Sequence, residues 1–325
     1  MYYFVINSYI SAAVGFFGNI LLLKILWTLN NKDFEIYRKI LIHSAISDII
    51  FSATIGITMN TMEPLKGNLV SWNLGIVNSL PNFWTIIFVV FHIQVYFLSL
   101  SNNVITFSYR YGILVRNYKF TNYEYLMFTG AVISWNLVGM ILWCMSLVEI
   151  TDVDREYVES ILDPRMFLDL QGVYKKYLIF KVISVKGRIA SMFTMITVGI
   201  IGMTVIYTTY RINKIMAIKK DRLSLKTQQI NKQLTISMLL NVSVSMMLDV
   251  LPVGIILMAA YFGIQMYGYA HIFFFTFEYQ PSLNLVISLI FVKPCRNEFL
   301  RLFGIKKNSV VILKSGTYPV TNMRI

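Results

Sequence analysis

Three ionisable side chains interrupt long apolar stretches of the sequence: His92, Asp249 and Glu278. With a helical rise of about 1.5 Å per residue, all three fall in one layer, roughly 10 to 15 Å below the same membrane surface. Ionisable groups are costly in lipid, so we expect them to face the interior of a helix bundle.

The side chains around this layer are mostly aromatic, which is typical of a small-molecule site with a few placed polar groups. The residues predicted to bind the ligand are His92, Gln94, Tyr96, Asp249, Tyr261, Phe274 and Glu278. The alternative, in which each is a packed core residue with its own partner, stays open at this point.

A second polar group falls nearer the opposite membrane surface. Asp48 lies roughly 12 Å above the inner end of its apolar stretch, and Asn19 lies at a similar height in the first stretch. With Asn284 of the last stretch, they can share one inner polar network. We predict that this network holds an inactive packing and rearranges on activation; the alternative is hydrogen bonding between helices and nothing more.

Two prolines fall inside apolar stretches, Pro252 and Pro281. Each removes a backbone hydrogen bond and permits a helix bend. Pro252 follows Asp249 by three residues, so a ligand near that carboxyl could change the bend.

No sequence signature of a catalytic or cofactor site is present: there is no nucleotide-binding glycine motif, HExxH, paired CxxC or GxSxG. His43 and Asp48 are five residues apart, which puts them off a common helix face. Cys144 and Cys295 are expected at different depths, so no disulfide is predicted. We therefore expect no enzyme, no cofactor and no metal.

The composition is that of an integral membrane protein. Of the 325 residues, 56% are hydrophobic and only 14% are charged, and the mean hydropathy is +0.62; soluble domains carry about 25% charged residues. The net charge is +13, and the basic residues that give rise to it lie in short segments between apolar runs. This placement indicates membrane topology and not a nucleic-acid partner.

The unbroken apolar runs predict an all-α bundle of seven transmembrane helices in a single domain, 1–325. The predicted spans cover about 5–27, 40–62, 83–107, 126–148, 189–210, 234–262 and 270–292, and a tail covers 293–325. Basic residues crowd the connectors after spans one, three and five and the tail. By the positive-inside rule, the N-terminus is expected outside and the C-terminus in the cytosol.

The start of the tail is predicted to be a short amphipathic helix lying on membrane lipid, because Phe299, Leu300 and Leu302 alternate with Arg296 and Arg301. Cys295 beside it is a possible palmitoylation site. A reduced free cysteine is the alternative.

Several short motifs resemble one receptor family. Span three ends in FSYRYGILVR, which is similar to the end of this span in the nematode serpentine chemoreceptors of the Str and Srd branch. Four other stretches share this similarity: Gly18-Asn19, LIHSAISD from Leu41 to Asp48, Leu251-Pro252, and the run from Gln280 to Arg296. The chain departs from the family at Cys295, where the family usually has a tyrosine.

The resemblance implies a G-protein-coupled chemosensory, odorant-like receptor in the plasma membrane of a sensory cilium, with a heterotrimeric G protein as partner. It assigns coupling to Tyr109, Arg110 and Tyr111 at the inner end of span three. A multi-pass transporter or a ligand-gated channel is the alternative, with Asp48, Asp249 and Glu278 lining a path.

Overall fold

The computed structural model describes residues 2–29, 34–118, 120–148, 156, 158, 160, 177–218 and 225–304. The helices in chain order are α1 (Tyr2–Thr28), α2 (Glu35–Thr58), α3 (Asn82–Leu114), α4 (Asn122–Cys144), α5 (Val185–Ile218), α6 (Leu225–Ser245), α7 (Leu251–Phe262), α8 (Ala270–Phe277), α9 (Gln280–Phe291) and α10 (Lys293–Leu302). A 3-10 turn, Ile76–Ser79, precedes α3, and a π-helical turn, Met246–Val250, joins α6 to α7.

Within the described ranges, six helices are long and apolar enough to cross a membrane: α1 to α5, and the continuous helix from Lys232 to Phe262. The last crossing is divided into α8 and α9, neither of which alone reaches the roughly 20 residues that a bilayer requires. Helix α1 packs on α2 and α9, α3 packs on α2, α4 and α5, and α9 packs on α6. The helices thus close into one bundle.

Local chemistry sets several helix boundaries. At the start of α4, the Glu124 backbone N–H donates to Thr121 Oγ1 (3.2 Å), and the Thr121 N–H donates to Glu124 Oε2 (2.8 Å), which is a capping box. Both predicted bend prolines stand in the first turn of a helical segment, Pro252 in α7 and Pro281 in α9. For Pro281, which follows the division between α8 and α9, the missing N–H costs nothing. Pro252 lies within the continuous helix from Lys232 to Phe262, where it removes a backbone hydrogen bond.

The second helix ends earlier than its apolar run predicts. The predicted span 40–62 is wrong at its end, because α2 ends at Thr58 and Met59 takes a left-handed conformation with φ of 43°. The chain then forms two strands, β1 (Asn60–Leu65) and β2 (Asn68–Asn73). Lys66 and Gly67 connect them with φ of 40° and 85°, as the favoured two-residue hairpin turn requires.

This hairpin belongs to a four-stranded sheet that the sequence analysis did not foresee. With β3 (Leu147–Val148) and β4 (Tyr177–Lys181), it forms an antiparallel sheet in the order β1-β2-β4-β3. Alternating residues give it two apolar faces: Leu69 and Phe180 pack with the helices, whereas Val70 and Ile179 pack with Trp72 and other residues on the far face.

The sheet covers one end of the bundle, called here the sheet end. The N–H of Gly268 donates to Glu63 Oε1 (2.8 Å), which ties β1 to the residues just before α8. The opposite end, where α3 carries Arg110 and α10 begins, is called the Arg110 end. Which of the two ends faces the cytosol stays a prediction.

Candidate ligand site and Arg110 end

A cavity of about 70 Å³ lies under the sheet, and we call it the sheet-end cavity. Helices α3, α4, α7 and α8 form its sides, and β1, β2 and β4 form its cover. Most of its walls are apolar or aromatic. The lining residues are Asn60, Met62, Leu69, His92, Ile93, Tyr96, Phe97, Trp143, Phe180, Val253, Ile256, Leu257, Phe274 and Phe277.

Aromatic rings on three helices hold the floor of this cavity together. The Phe277 ring centroid lies 4.7 Å from that of Tyr96, 5.3 Å from that of Phe51 and 5.9 Å from that of Phe274. Rings at such separations and mutual tilts gain about 0.5–1.5 kcal/mol per pair beyond the burial of their surface. The floor is therefore a connected aromatic cluster that joins α2, α3 and α8.

His92 is the imidazole in the cavity wall. Its Nδ1 lies 3.1 Å from Thr54 Oγ1, whose hydroxyl donates to the Phe51 carbonyl at 2.8 Å. When the Thr54 hydroxyl donates to that carbonyl, Nδ1 donates to Thr54, and a neutral ring leaves Nε2 as an acceptor. Asn60, another polar residue of the wall, accepts a hydrogen bond from Ser71 through Oδ1 (2.6 Å).

The cavity brings together three of the predicted ligand residues, His92, Tyr96 and Phe274, and leaves four outside it. Glu278 instead accepts from Ser8 Oγ at 2.6 Å and from Asn7 Nδ2 at 3.1 Å.

The remaining three lie in three different environments. Tyr261 is 48% exposed on the bundle surface, and Gln94 is buried with no hydrogen-bond partner within the described part of the chain. Asp249 is fully buried in the π-helical turn, and its two carboxyl oxygens have no hydrogen-bond partner among the described residues.

Among the lining residues that sequence reasoning missed are Trp143 near the end of α4, and Met62, Leu69 and Phe180 of the sheet. Their chemical types fit an apolar cavity. Only the pairing of β2 with β4, residues more than 100 positions apart, places Leu69 and Phe180 together.

The predicted inner network is divided in two. Asn284 Nδ2 lies 3.2 Å and 3.4 Å from the two carboxyl oxygens of Asp48. Asn19 Nδ2 instead donates to two backbone carbonyls, Gly15 (2.8 Å) and Pro281 (3.2 Å). A cavity of about 40 Å³ beside Asp48 is lined by polar side chains from α2, α3, α6 and α9, including Ser99, Asn102, Asn241, Ser245, Gln280 and Asn284.

Arg110 is 1% exposed and joins three helices at its end of the bundle. Its Nη2 donates to Thr235 Oγ1 of α6 (2.6 Å), and its Nη1 lies 3.4 Å from the Met238 sulfur. The guanidinium carbon lies 6.0 Å from the ring centroid of Tyr37 on α2. Arg110 is therefore enclosed between α2, α3 and α6, with α6 held close.

The tyrosines on either side contact other helices. Tyr109 stacks on Phe120 at 5.4 Å and meets Tyr125 of α4 edge to face at 5.2 Å. The Tyr111 ring centroid lies 5.9 Å from that of Tyr207 on α5. The three consecutive residues thus reach α2, α4, α5 and α6.

Cys295 is fully buried in a cluster with Leu22, Ile25 and Leu285. Burial raises the pKa of its thiol to about 12. This packing withholds the sulfur from an acylating enzyme, so the structure does not support the predicted palmitoylation. Helix α10 itself packs against α1, where Thr28 Oγ1 donates to Glu298 Oε1 at 3.1 Å.

Comparison with known proteins places this geometry in a family. The family model described as "Serpentine type 7TM GPCR chemoreceptor Str" matches residues 5–300. The crystal structure of squid rhodopsin is similar with a TM-score of 0.62 and 14% sequence identity, over 93% of this chain and 85% of that chain. No curated protein matches. The fold of a seven-transmembrane helix bundle, predicted from the apolar runs, is confirmed.

Proposed function

Because the chain belongs to the Str family of serpentine seven-transmembrane G-protein-coupled chemoreceptors, we propose that it detects a small neutral molecule in the sheet-end cavity. The observation that carries this proposal is the aromatic cavity under the sheet, with a volume of about 70 Å³. At ~10–15 Å³ for each water-sized atom, it holds roughly five to seven non-hydrogen atoms. That size suits a volatile compound.

The chemistry of the wall favours a ligand without charge. Asp249 and Glu278, the two carboxyls predicted at this depth, do not line the cavity. A charged ligand would therefore lose its hydration without gaining an ionic partner. His92 and Tyr96 can each serve one hydrogen-bonding group, so a ketone, alcohol, ester or arene fits the wall.

Two helical paths connect this cavity with the Arg110 end. Phe274 and Phe277 belong to α8, which continues after the break at Glu278 and Tyr279 into α9, where Asn284 meets Asp48. Val253 and Ile256 belong to α7, which continues through the π-helical turn into α6, where Thr235 holds Arg110. A ligand shifts the helix packing only as far as its affinities for two packings differ.

Release of Arg110 is the signalling step of the proposal. Moving α6 away from α3 breaks the Thr235 contact and opens a basic surface to a heterotrimeric G protein. Lys214 of α5, Lys232 of α6 and Arg296 of α10 lie at that end. In this arrangement the sheet faces outside and the tail, 293–325, lies in the cytosol at the plasma membrane of a sensory cilium, with α10 against lipid.

The test is a cell-based screen with matched variants. The receptor is expressed in a heterologous cell and exposed to neutral volatiles of five to seven non-hydrogen atoms, with second-messenger output as the readout. Ile256→Trp fills the cavity and is expected to abolish the response. Ile255→Trp adds the same ring on the neighbouring residue, which is 41% exposed and does not line the cavity.

Phe277→Ala has the opposite effect to Ile256→Trp, because it enlarges the cavity. The variant should therefore respond better to larger homologues of the activating volatile. Equal responses of wild type and Ile256→Trp at equal surface level would show that the ligand does not bind in this cavity.

A further inference from the structure

A second and smaller cavity lies on the far side of one wall of the sheet-end cavity, between α7 and α8. Its volume is about 10 Å³. Four residues line both cavities: Val253, Ile256, Phe274 and Phe277. A single layer of side chains therefore separates the two spaces.

The small cavity lies at the surface that faces lipid. Its other lining residues include Leu248 and Phe273, both half-buried. Their neighbours Met247 and Ile272 are 71% and 57% exposed. Exposed apolar residues on a membrane-spanning helix face acyl chains, so the small cavity borders the hydrocarbon region.

The direct path from the other side passes through the sheet. Met62, Leu69 and Phe180 lie over the sheet-end cavity, and they come from three strands paired by backbone hydrogen bonds. The Glu63–Gly268 hydrogen bond of 2.8 Å ties this cover to the start of the last crossing. Opening that path in the described part of the chain requires breaking sheet pairing.

Next to the wall between the cavities, the helix backbone lacks regular α-helical hydrogen bonds. The π-helical turn Met246–Val250 ends directly before α7, and Pro252, which lines the small cavity, has no N–H to donate. A methyl group added at Gly254 would meet no atom within 4 Å. Helix α7 can therefore bend away from α8 at the height of the shared wall.

We propose that the ligand enters the sheet-end cavity sideways from lipid, between α7 and α8, with the small cavity as its entry site. This inference rests on the proposed ligand site. The ligand class follows from both cavities: a neutral apolar molecule that first partitions into the bilayer, where apolar surface is removed from water. Val253 and the rings of Phe274 and Phe277 form the gate.

A single entry route has a kinetic signature. A residue that obstructs the route, but does not touch the bound ligand, changes the association and dissociation rates by the same factor. The dissociation constant is then unchanged. Leu248 is such a residue, because it lines the small cavity and not the sheet-end cavity.

The probe is fluorobenzene, which has seven non-hydrogen atoms, with the full-length receptor in lipid nanodiscs. Fluorine exchange NMR gives both rates, and saturation gives the dissociation constant. Leu248→Trp is expected to slow both rates about tenfold or more, since each ~1.4 kcal/mol added to a barrier slows passage tenfold. Leu248→Ala, which widens the route, is expected to speed both rates. Met247→Trp on the adjacent exposed position is the control and should change neither.

The outcomes separate the entry route from the ligand site. If fluorobenzene binds and Ile256→Trp blocks it, but neither Leu248 variant changes the rates, the entry route is wrong and the ligand site stands. Faster exchange in Glu63→Ala together with unchanged Leu248 variants assigns entry to the sheet and also overturns the proposal. Absence of saturable binding, or binding that survives Ile256→Trp, overturns the ligand site and the entry route together.

Discussion

Replacing Thr235 by valine should make the receptor signal without a ligand. The Thr235 hydroxyl accepts the 2.6 Å hydrogen bond from Arg110 Nη2, and this bond holds α6 against α3. Valine keeps the branched shape of the side chain and removes the hydroxyl that accepts this bond. The closed packing then loses a hydrogen bond to a charged group, which contributes about 1.5–3 kcal/mol.

The size of the effect follows from the population of the open packing. A loss of ~1.5 kcal/mol shifts the equilibrium about tenfold. Minor states of two-state proteins have populations of about 0.1–10%, and we take ~1% for the open packing of the resting receptor. The tenfold shift raises this population to ~9%. Basal second-messenger output should then rise about ninefold, and an activating volatile should act at a concentration lower by up to a similar factor.

The assay compares basal output at equal surface expression. Ser243→Ala is the control on the same helix, because the exposed Ser243 hydroxyl donates to the Leu239 carbonyl of its own helix (2.9 Å) and does not reach α3. Unchanged or reduced basal output in Thr235→Val would refute the reasoning that this bond holds the inactive packing.

Two further predictions concern the sheet end. Burial raises the pKa of Glu63 from its ordinary value near 4.5 to about 7, so the folded state holds more protons than the unfolded state between these pH values. The free energy of unfolding should therefore fall as the pH rises from about 4.5 to 7, and Glu63→Gln should remove this dependence. In thermal unfolding of the purified receptor, the melting temperature of Glu63→Gln should match that of wild type at about pH 5 and exceed it at about pH 8. Gly187→Ala should lower surface expression and the melting temperature, because its Cβ would lie 2.1 Å from the Lys181 carbonyl oxygen, a backbone atom that cannot turn aside. Gly199→Ala on the same helix meets no atom within 4 Å and should be neutral or slightly stabilising.

The apolar runs of the sequence predict the helix bundle because lipid leaves the backbone few other choices. They do not predict the sheet. The predicted second span runs on to 62, whereas the chain turns at Met59 into β1. The partner strand β4 stands more than 100 residues away, so its pairing with β2 is a long-range contact that periodicity does not reveal.

The depth of a residue along a helix does not fix the direction of its side chain around that helix. His92 and Gln94 differ by two residues, which turns their side chains about 200° apart on α3, so only His92 reaches the cavity. At Asp249, the π-helical turn changes the helical phase and takes the carboxyl away from the cavity lining. For Tyr261, an aromatic residue at a span end, lipid exposure and cavity lining look alike in sequence.

The most direct test of the account measures second messenger and membrane current together in one cell. Wild-type receptor and Ile256→Trp are exposed to the same panel of neutral volatiles, with and without blockade of G proteins. We expect a second-messenger response that requires both the open cavity and the G protein, and no membrane current carried by the receptor itself. A volatile-evoked current that survives the blockade would contradict it and identify a ligand-gated channel.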